Sequence, residues 1–575
     1  MSRISRKRNL VILVVALAAA AAAVVGWIYA RRPQRVEIAT YVPESALGYL
    51  EVNDWPRVVD LLMATKGWRR LSPSFGIPES LKYAGRAGWL ARLTGGGETA
   101  VLARSQFALV VTGLEVRGEE VKPLFAVIAE THSDPEDAKA VADRRLSELA
   151  KSAFGQVVRE TGEYAGAPLV TWRAANSEKM IVASQIGSEL ILANDAGALR
   201  ACIDTRLGRA PAIANNFHLK NSRRIVERDG SVFGFVTGDG MTRLLRFGAY
   251  LISGGALGKA ALAGAVGEVF TEFSTRTADG MAYAASFENG EVVDRYALLF
   301  KPELVDALKS AIKPNAKPVR AFQLMPSEAR NVTVFNVENP MKTLEGVEAA
   351  VSSRVGVAQS FLLHQFVVSA REAFFGLRQG GKAEEAIGDE IVGFDLPGAS
   401  GPPPAANADT PEASNRIWLL AARDTALLLA IVEKAMIAGG GVLAREKYNG
   451  VEIIYSSDEG RGAVAFIGDF VALGRRDILA RLIDLQAGGA RFSPPPAVPG
   501  AFLLSVDSAA PEALRMMSTI GRWTDAAPRG DFPIDLPLNI GATSIHERGI
   551  LTESHSSFGN FPFFISLVAG AGNGK

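Results

Sequence analysis

His132 sits among Ser133, Asp134, Glu136 and Asp137, a run of donors that could hold a metal ion or pass a proton. The same run is also a helix start. Asp134 would accept from the free N–H groups of the first turn, and Pro135 would fix φ just inside it. Acids in a first turn are favoured by the helix dipole, so capping explains the cluster without a ligand. Of the five histidines, the nearest pair is His546 and His555, which lacks the short spacing of a zinc-ligand pair. The one cysteine, Cys202, excludes an intramolecular disulfide and a cysteine-based zinc site. With no histidine beside it, Cys202 is expected to be a small core residue.

Phosphate and nucleophile motifs fall short in a similar way. Ser253–Ala260, SGGALGKA, carries the Gly258-Lys259 pair of a P-loop, but Ser253 replaces the first glycine and Ala260 the hydroxyl residue that would hold magnesium. Ser310 and Lys313 form S-x-x-K without the S-D-N and K-T-G elements that accompany it. Neither a G-x-S-x-G elbow nor H-E-x-x-H occurs. A carboxylate pair for glycoside chemistry is defined by a distance in space, which a single sequence does not reveal. The catalytic residues are therefore unknown, the chain leans away from being an enzyme, and no metal or cofactor is expected.

The elements around these residues say more. With 575 residues, 48% hydrophobic and 21% charged, the chain has ordinary globular usage and room for several cores. Lys+Arg 62 against Asp+Glu 61 leaves a net charge of +1, which argues against long-range attraction to nucleic acid.

Residues 1–8 are a basic tail with Arg3, Arg6, Lys7 and Arg8, and Leu10 to Ala30 then runs for 21 uncharged residues. A helix needs ~20 such residues to cross a bilayer. A cleavable signal peptide is the rival, because the alanine run offers A-x-A sites. Trp27 and Tyr29, just before Arg31 and Arg32, favour an uncleaved anchor over 9–30, followed by a linker over 31–40. The basic tail points to a cytoplasmic N-terminus. The expected location is therefore the inner membrane, single-pass, with residues 36–575 on the periplasmic side.

Val42–Asn53, VPESALGYLEVN, returns as Met325–Asn336, MPSEARNVTVFN. Pro43 and Pro326, Tyr164 and Tyr448, Asp204 and Asp484, and Gly290 and Gly549 recur in the same order, at offsets of 283, 284, 280 and 259. Self-similarity in fixed order marks a repeat. The expected fold is α+β: a first repeat over 41–302, a connector over 303–319 and a second repeat over 320–572, each with largely antiparallel sheet and packed helices. Asn289-Gly290 between alternating strands predicts a two-residue hairpin. Pro397–Asn415 is expected to be a mobile loop. Phe247–Phe270 suits either close helix packing or a membrane, though Lys259 near its centre makes a crossing expensive. Phe561–Ala571 is too short to span. On this alignment His546 and His555 match Phe287 and Tyr296, and Cys202 matches Leu482. Asn53 and Asn336 recur without an assignable role.

The Pro-x-x-Ala-Leu-x-Tyr-Leu-x-Val-Asn opening at Pro43, the Tyr-x-Gly at Tyr164 and the Gly-x-x-Leu-Ile-Leu-Ala-Asn-Asp run from Gly187 resemble the bacterial proteins of domain of unknown function family 3352. The resemblance spans most of 41–300 and, more faintly, 320–560. It implies a membrane-anchored or exported α+β protein and supplies no catalytic residues. The leading expectation is a non-enzymatic binding or scaffold module, anchored to the membrane and facing an envelope protein, lipid or polymer. The alternatives are an envelope hydrolase with a site between the repeats, or a lipid-handling protein.

Overall fold

The computed structural model describes residues 35–72, 101, 104–117, 120–227, 231–254, 260–375, 383–397, 415–438, 442–456, 462–514, 517 and 536–562. The expected anchor, most of the Pro-rich loop, the Gly258-Lys259 pair and residues 563–571 lie outside them. The chain divides into two compact units, one drawn mainly from residues up to Asn216, the other from residues 64–76 and Phe217 onward.

In the first unit β1 (Gly48–Val52) leads into α1 (Trp55–Met63). Then come β2 (Gln106–Arg117), β3 (Glu120–Glu130), α2 (Pro135–Phe154), β4 (Val157–Tyr164), β5 (Ala167–Ala174), β6 (Met180–Ile186), β7 (Glu189–Ala193) and α3 (Ala196–Arg206). The sheet order is β1-β2-β3-β7-β6-β5-β4, antiparallel at every step. The helix starts follow the sequence. Asp134 Oδ1 accepts from the Glu136 amide at 2.9 Å, so the acids beside His132 do cap α2. Asp195 caps α3 through the Ala198 amide at 3.0 Å. Leu146 and Ala150 of α2 pack on Trp172 and Ala183 of the sheet, and α3 buries Leu199, Cys202 and Ile203.

The second unit opens with the short helix Lys66–Leu71, whose Leu71 packs with Phe558. Its further elements are α4 (Phe217–Val226), β8 (Val232–Thr237), α5 (Gly238–Gly254), α6 (Ala260–Thr277), β9 (Ala278–Glu288), β10 (Glu291–Phe300), α7 (Pro302–Ala311), β11 (Arg330–Asn336), α8 (Pro340–Ser352) and α9 (Val357–Phe375). They continue with β12 (Ile387–Asp395), β13 (Arg416–Ala422), α10 (Thr425–Ala438), β14 (Leu443–Tyr448), β15 (Val451–Ser456), β16 (Ala463–Ile467), β17 (Phe470–Gly474), α11 (Arg476–Gly488), β18 (Ala501–Ser508), β19 (Leu538–His546) and β20 (Gly549–Ser556).

One antiparallel sheet runs through this unit as β8-β9-β10-β20-β19-β18-β11-β12-β13-β17-β16-β15-β14. Strand alternation feeds two cores, because successive side chains point to opposite faces. Val392, Phe394 and Leu419 join Leu479 and Leu482 of α11 on one face. Ile391 and Leu420 join Leu428 and Val432 of α10 on the other. The architecture is thus α+β with antiparallel sheet and packed helices.

Three turns have the same physical origin. Ala165-Gly166, Asn289-Gly290 and Asn449-Gly450 all carry positive φ at both central residues, the geometry of a two-residue hairpin matched to strand twist. Two of these hairpins are also fastened to a helix: Tyr164 Oη donates to Asp204 Oδ2 at 2.9 Å, and Tyr448 Oη donates to Asp484 Oδ2 at 2.8 Å.

Among the described residues no helix is long and apolar enough to cross a membrane. Those of the apolar run Phe247–Phe270 fall on α5 and α6, which pack together, with Thr242 Oγ1 donating to Ser274 Oγ at 3.2 Å. The stretch after α7 is held rather than loose. Pro314 forms a bridge to Val337, the Asn315 amide donates to the Asn336 carbonyl at 3.1 Å, and Asn336 Nδ2 donates to the Asn315 carbonyl at 3.0 Å.

Candidate functional site

The strand β10 reads EVVDRYALLF, with two adjacent charges inside an otherwise apolar run. Alternation sends Asp294 and Arg295 to opposite faces, and both are buried. Arg295 ties three strands together. Its guanidinium donates to Glu553 Oε2 at 2.6 Å, Ser286 Oγ at 2.8 Å and Glu288 Oε1 at 2.9 Å. A buried guanidinium whose donors meet two carboxylates and a hydroxyl is satisfied, so this face is structural.

The Asp294 face is different. It opens on a cleft of about 290 Å³ within the second unit, lined by Asp294 and Tyr296 of β10, Asn331 of β11, Asp507 and Ser508 of β18, Asn539 of β19, Ser554 and Ser556 of β20, and Pro511, Glu512, Gly559 and Asn560. Register explains the convergence: Asp294 pairs with Ser554, and Val292 with Ser556. Tyr296 pairs with Tyr283 of β9, their ring centroids 5.2 Å apart.

Hydrogen bonds fix the floor of the cleft. Tyr283 Oη donates to Asp294 Oδ1 at 2.7 Å, and Asn560 Nδ2 donates to Tyr296 Oη. Asn539 Nδ2 donates to Glu512 Oε2 at 2.9 Å, and the Gly559 amide donates to Ser556 Oγ at 2.8 Å. Gly559 is required there. Its φ is +57°, and a Cβ would stand 2.5 Å from Val292 Cγ1 and 2.8 Å from Asp294 Oδ2.

Electrostatically the cleft is acidic: among the described residues its lining includes three carboxylates and no lysine or arginine. Burial pushes the Asp294 carboxyl up to about 6, with the charge of Glu512 adding to the rise while hydrogen bonds from Tyr283 and the Asn560 backbone oppose it. The Tyr296 hydroxyl is held well above its usual range, by burial first and then by the charge of Asp294. Burial also raises Asp507. Such a lining suits a polar ligand that donates hydrogen bonds, and Asp294 can exchange a proton just below neutrality.

The residues that drew notice in the sequence do not gather here. His132 has a left-handed backbone, φ 48°, and its Nε2 lies 2.7 Å from Gln106 Oε1. His546 and His555 pair with Gly549 and Ile540, six residues apart along β19, about 20 Å at the rise of a strand. His555 Nε2 lies 3.1 Å from Glu553 Oε1. Cys202 is fully buried, and burial pushes its thiol up to about 12, so it stays protonated in the core. Ser310 Oγ donates to the Asp306 carbonyl within α7. Asn53 accepts from Gln106 Nε2 and donates to Glu51 Oε1, each at 2.9 Å, a role unlike that of Asn336. Among the described residues no group of three or more His, Cys, Asp or Glu could hold a metal ion.

Sequence reasoning missed the cleft. Its one local signal is the Asp294-Arg295 pair inside a strand; Asn331, Asp507, Glu512, Asn539 and Asn560 are ordinary surface types that only the sheet order brings together.

Fold and cleft define an antiparallel α+β protein with an acid-lined polar cleft. No family model, curated protein or solved structure matches the chain.

Proposed function

We propose that this is an envelope protein anchored in the inner membrane by residues 9–30, whose body, residues 36–575, acts outside that membrane as a non-enzymatic binding or scaffold module. Its body is two tandem copies of a domain whose motifs resemble family 3352. The duplication is supported by order: β1-β2-β3-β7-β6-β5-β4 in the first unit is matched by β11-β12-β13-β17-β16-β15-β14 in the second. The location is supported by the uncharged run Leu10–Ala30 and its aromatic and basic flanks.

The observation that carries the binding reading is the cleft beside Asp294, whose acids, amides and hydroxyls favour a polar envelope protein or polymer over a lipid. A second reading, an envelope hydrolase, has one specific support: a carboxyl raised to about 6 in a cleft with a second carboxylate, Glu512, is the arrangement of an acid–base pair. The two readings part on one experiment. Full chain in membranes is incubated with cell-wall polymer and with envelope extract, and retention and product release are both followed. Retention that is lost in Glu512→Lys, with no product, supports the module. Turnover that Asp294→Asn abolishes supports the hydrolase and overturns the module. External protease that spares the body of intact spheroplasts would overturn the location.

A further inference from the structure

In the first unit β3 and β7 set Glu130 and Glu189 directly opposite each other. Opposite positions in an antiparallel pair project to the same face, so two carboxylates occupy one buried place. Glu130 is 4% exposed and Glu189 0%. Arg206, in the last turn of α3, donates through Nε to Glu189 Oε2 at 2.5 Å and lies over the ring of Tyr41, 4.8 Å from its centroid. Tyr41 ends the 3-10 turn Ile38–Tyr41, the first element of the described body. Glu130 Oε1 accepts from the His132 amide at 3.1 Å. Among the described residues Glu189 Oε1 is buried with no hydrogen-bond partner. Cys202 of α3 also faces Glu189 and carries no charge.

Two dry carboxylates with one guanidinium among the described residues leave a surplus negative charge, and an acceptor-only oxygen without a donor adds to the cost. A proton on Glu189 removes the surplus charge. We infer that Glu189, set opposite the Glu130 carboxylate, holds a proton, and that its loss loosens the turn Ile38–Tyr41 and α3, making the start of the body a pH-sensitive latch. The proton passes to bulk water when the segment opens and returns when it closes; no other bond changes. The direction follows from the environment. Burial, with the charge of Glu130, pushes the Glu189 carboxyl from the ordinary 4.5 up to about 7, against the pull of Arg206. The latch is at full strength below 4.5, weakens as the pH rises through about 7, and is level above that.

The test is amide hydrogen exchange on the full chain in detergent, corrected for intrinsic rates, from pH 5 to pH 8. Opening over 38–47 and 196–206 is expected to rise at least tenfold in the wild type. The rise should vanish in Glu189→Gln and move to lower pH in Glu130→Gln, where the neighbouring charge is gone. A flat wild-type profile overturns the latch by itself, whether or not the variants fold. An undiminished rise in Glu189→Gln also overturns it and assigns the pH response to another group, His132 first.

Discussion

Asp294 carries most of the chemical character of the cleft, and its environment sets a direction for stability. Its carboxyl is raised from 3.8 to about 6, so it contributes stability that is whole below 3.8 and lost as pH rises through about 6. The loss is on the order of 3 kcal/mol, from about 1.4 kcal/mol per unit. Urea unfolding from pH 3 to pH 8 should show that decline in the wild type, and Asp294→Asn should flatten much of it. An unchanged slope would assign the decline elsewhere. Its neighbour on the opposite face behaves differently. Arg295→Ala strands the Glu288 and Glu553 carboxylates and should cost about 3–5 kcal/mol at any pH where they are ionised. Denaturation midpoints check this. The sequence displays both residues, yet nothing in their spacing tells that one faces a cleft and the other a core. That distinction depends on which strands lie beside β10, and β20 is more than two hundred residues away along the chain.

Elements were far more legible than sites. The Asp134-Pro135 cap, the Asn289-Gly290 turn and the strand alternation of β9 and β10 are local chemistry, and each produced the element expected. The landmarks Tyr164, Asp204, Tyr448 and Asp484 gained a meaning that spacing could not give: Tyr164 donates to Asp204 and Tyr448 to Asp484, each joining a hairpin to the helix that follows it. Tyr164→Phe and Tyr448→Phe should each speed hydrogen exchange in their own hairpin and leave the global unfolding midpoint little changed, because both bonds are solvent-accessible. The glycine landmarks prove unlike one another. At Gly290 the turn conformation is what matters, whereas at Gly549 a Cβ would fall 1.8 Å from the Leu298 carbonyl oxygen. Gly549→Ala must therefore displace β10 or β20, with an expected loss of roughly 2–4 kcal/mol by thermal or urea unfolding.

At the scale of the whole molecule, the proposed repeat rests on backbone turns and strand order, which constrain sequence at many points. The cleft was not legible in the sequence, because it draws on β10 from the proposed first copy and β11, β18, β19 and β20 from the proposed second. On the proposed alignment Tyr296, a wall of the cleft, is matched by His555, which lies beside Glu553 instead. On the proposed function, an externally exposed body engages a polar partner through this acidic cleft. A photo-crosslinking side chain placed at Ser508 in the full chain, in intact cells, tests it most directly. The expected result is a discrete adduct that forms from outside the inner membrane and disappears when Glu512 is reversed to lysine. No adduct, or one indifferent to that reversal, would contradict it.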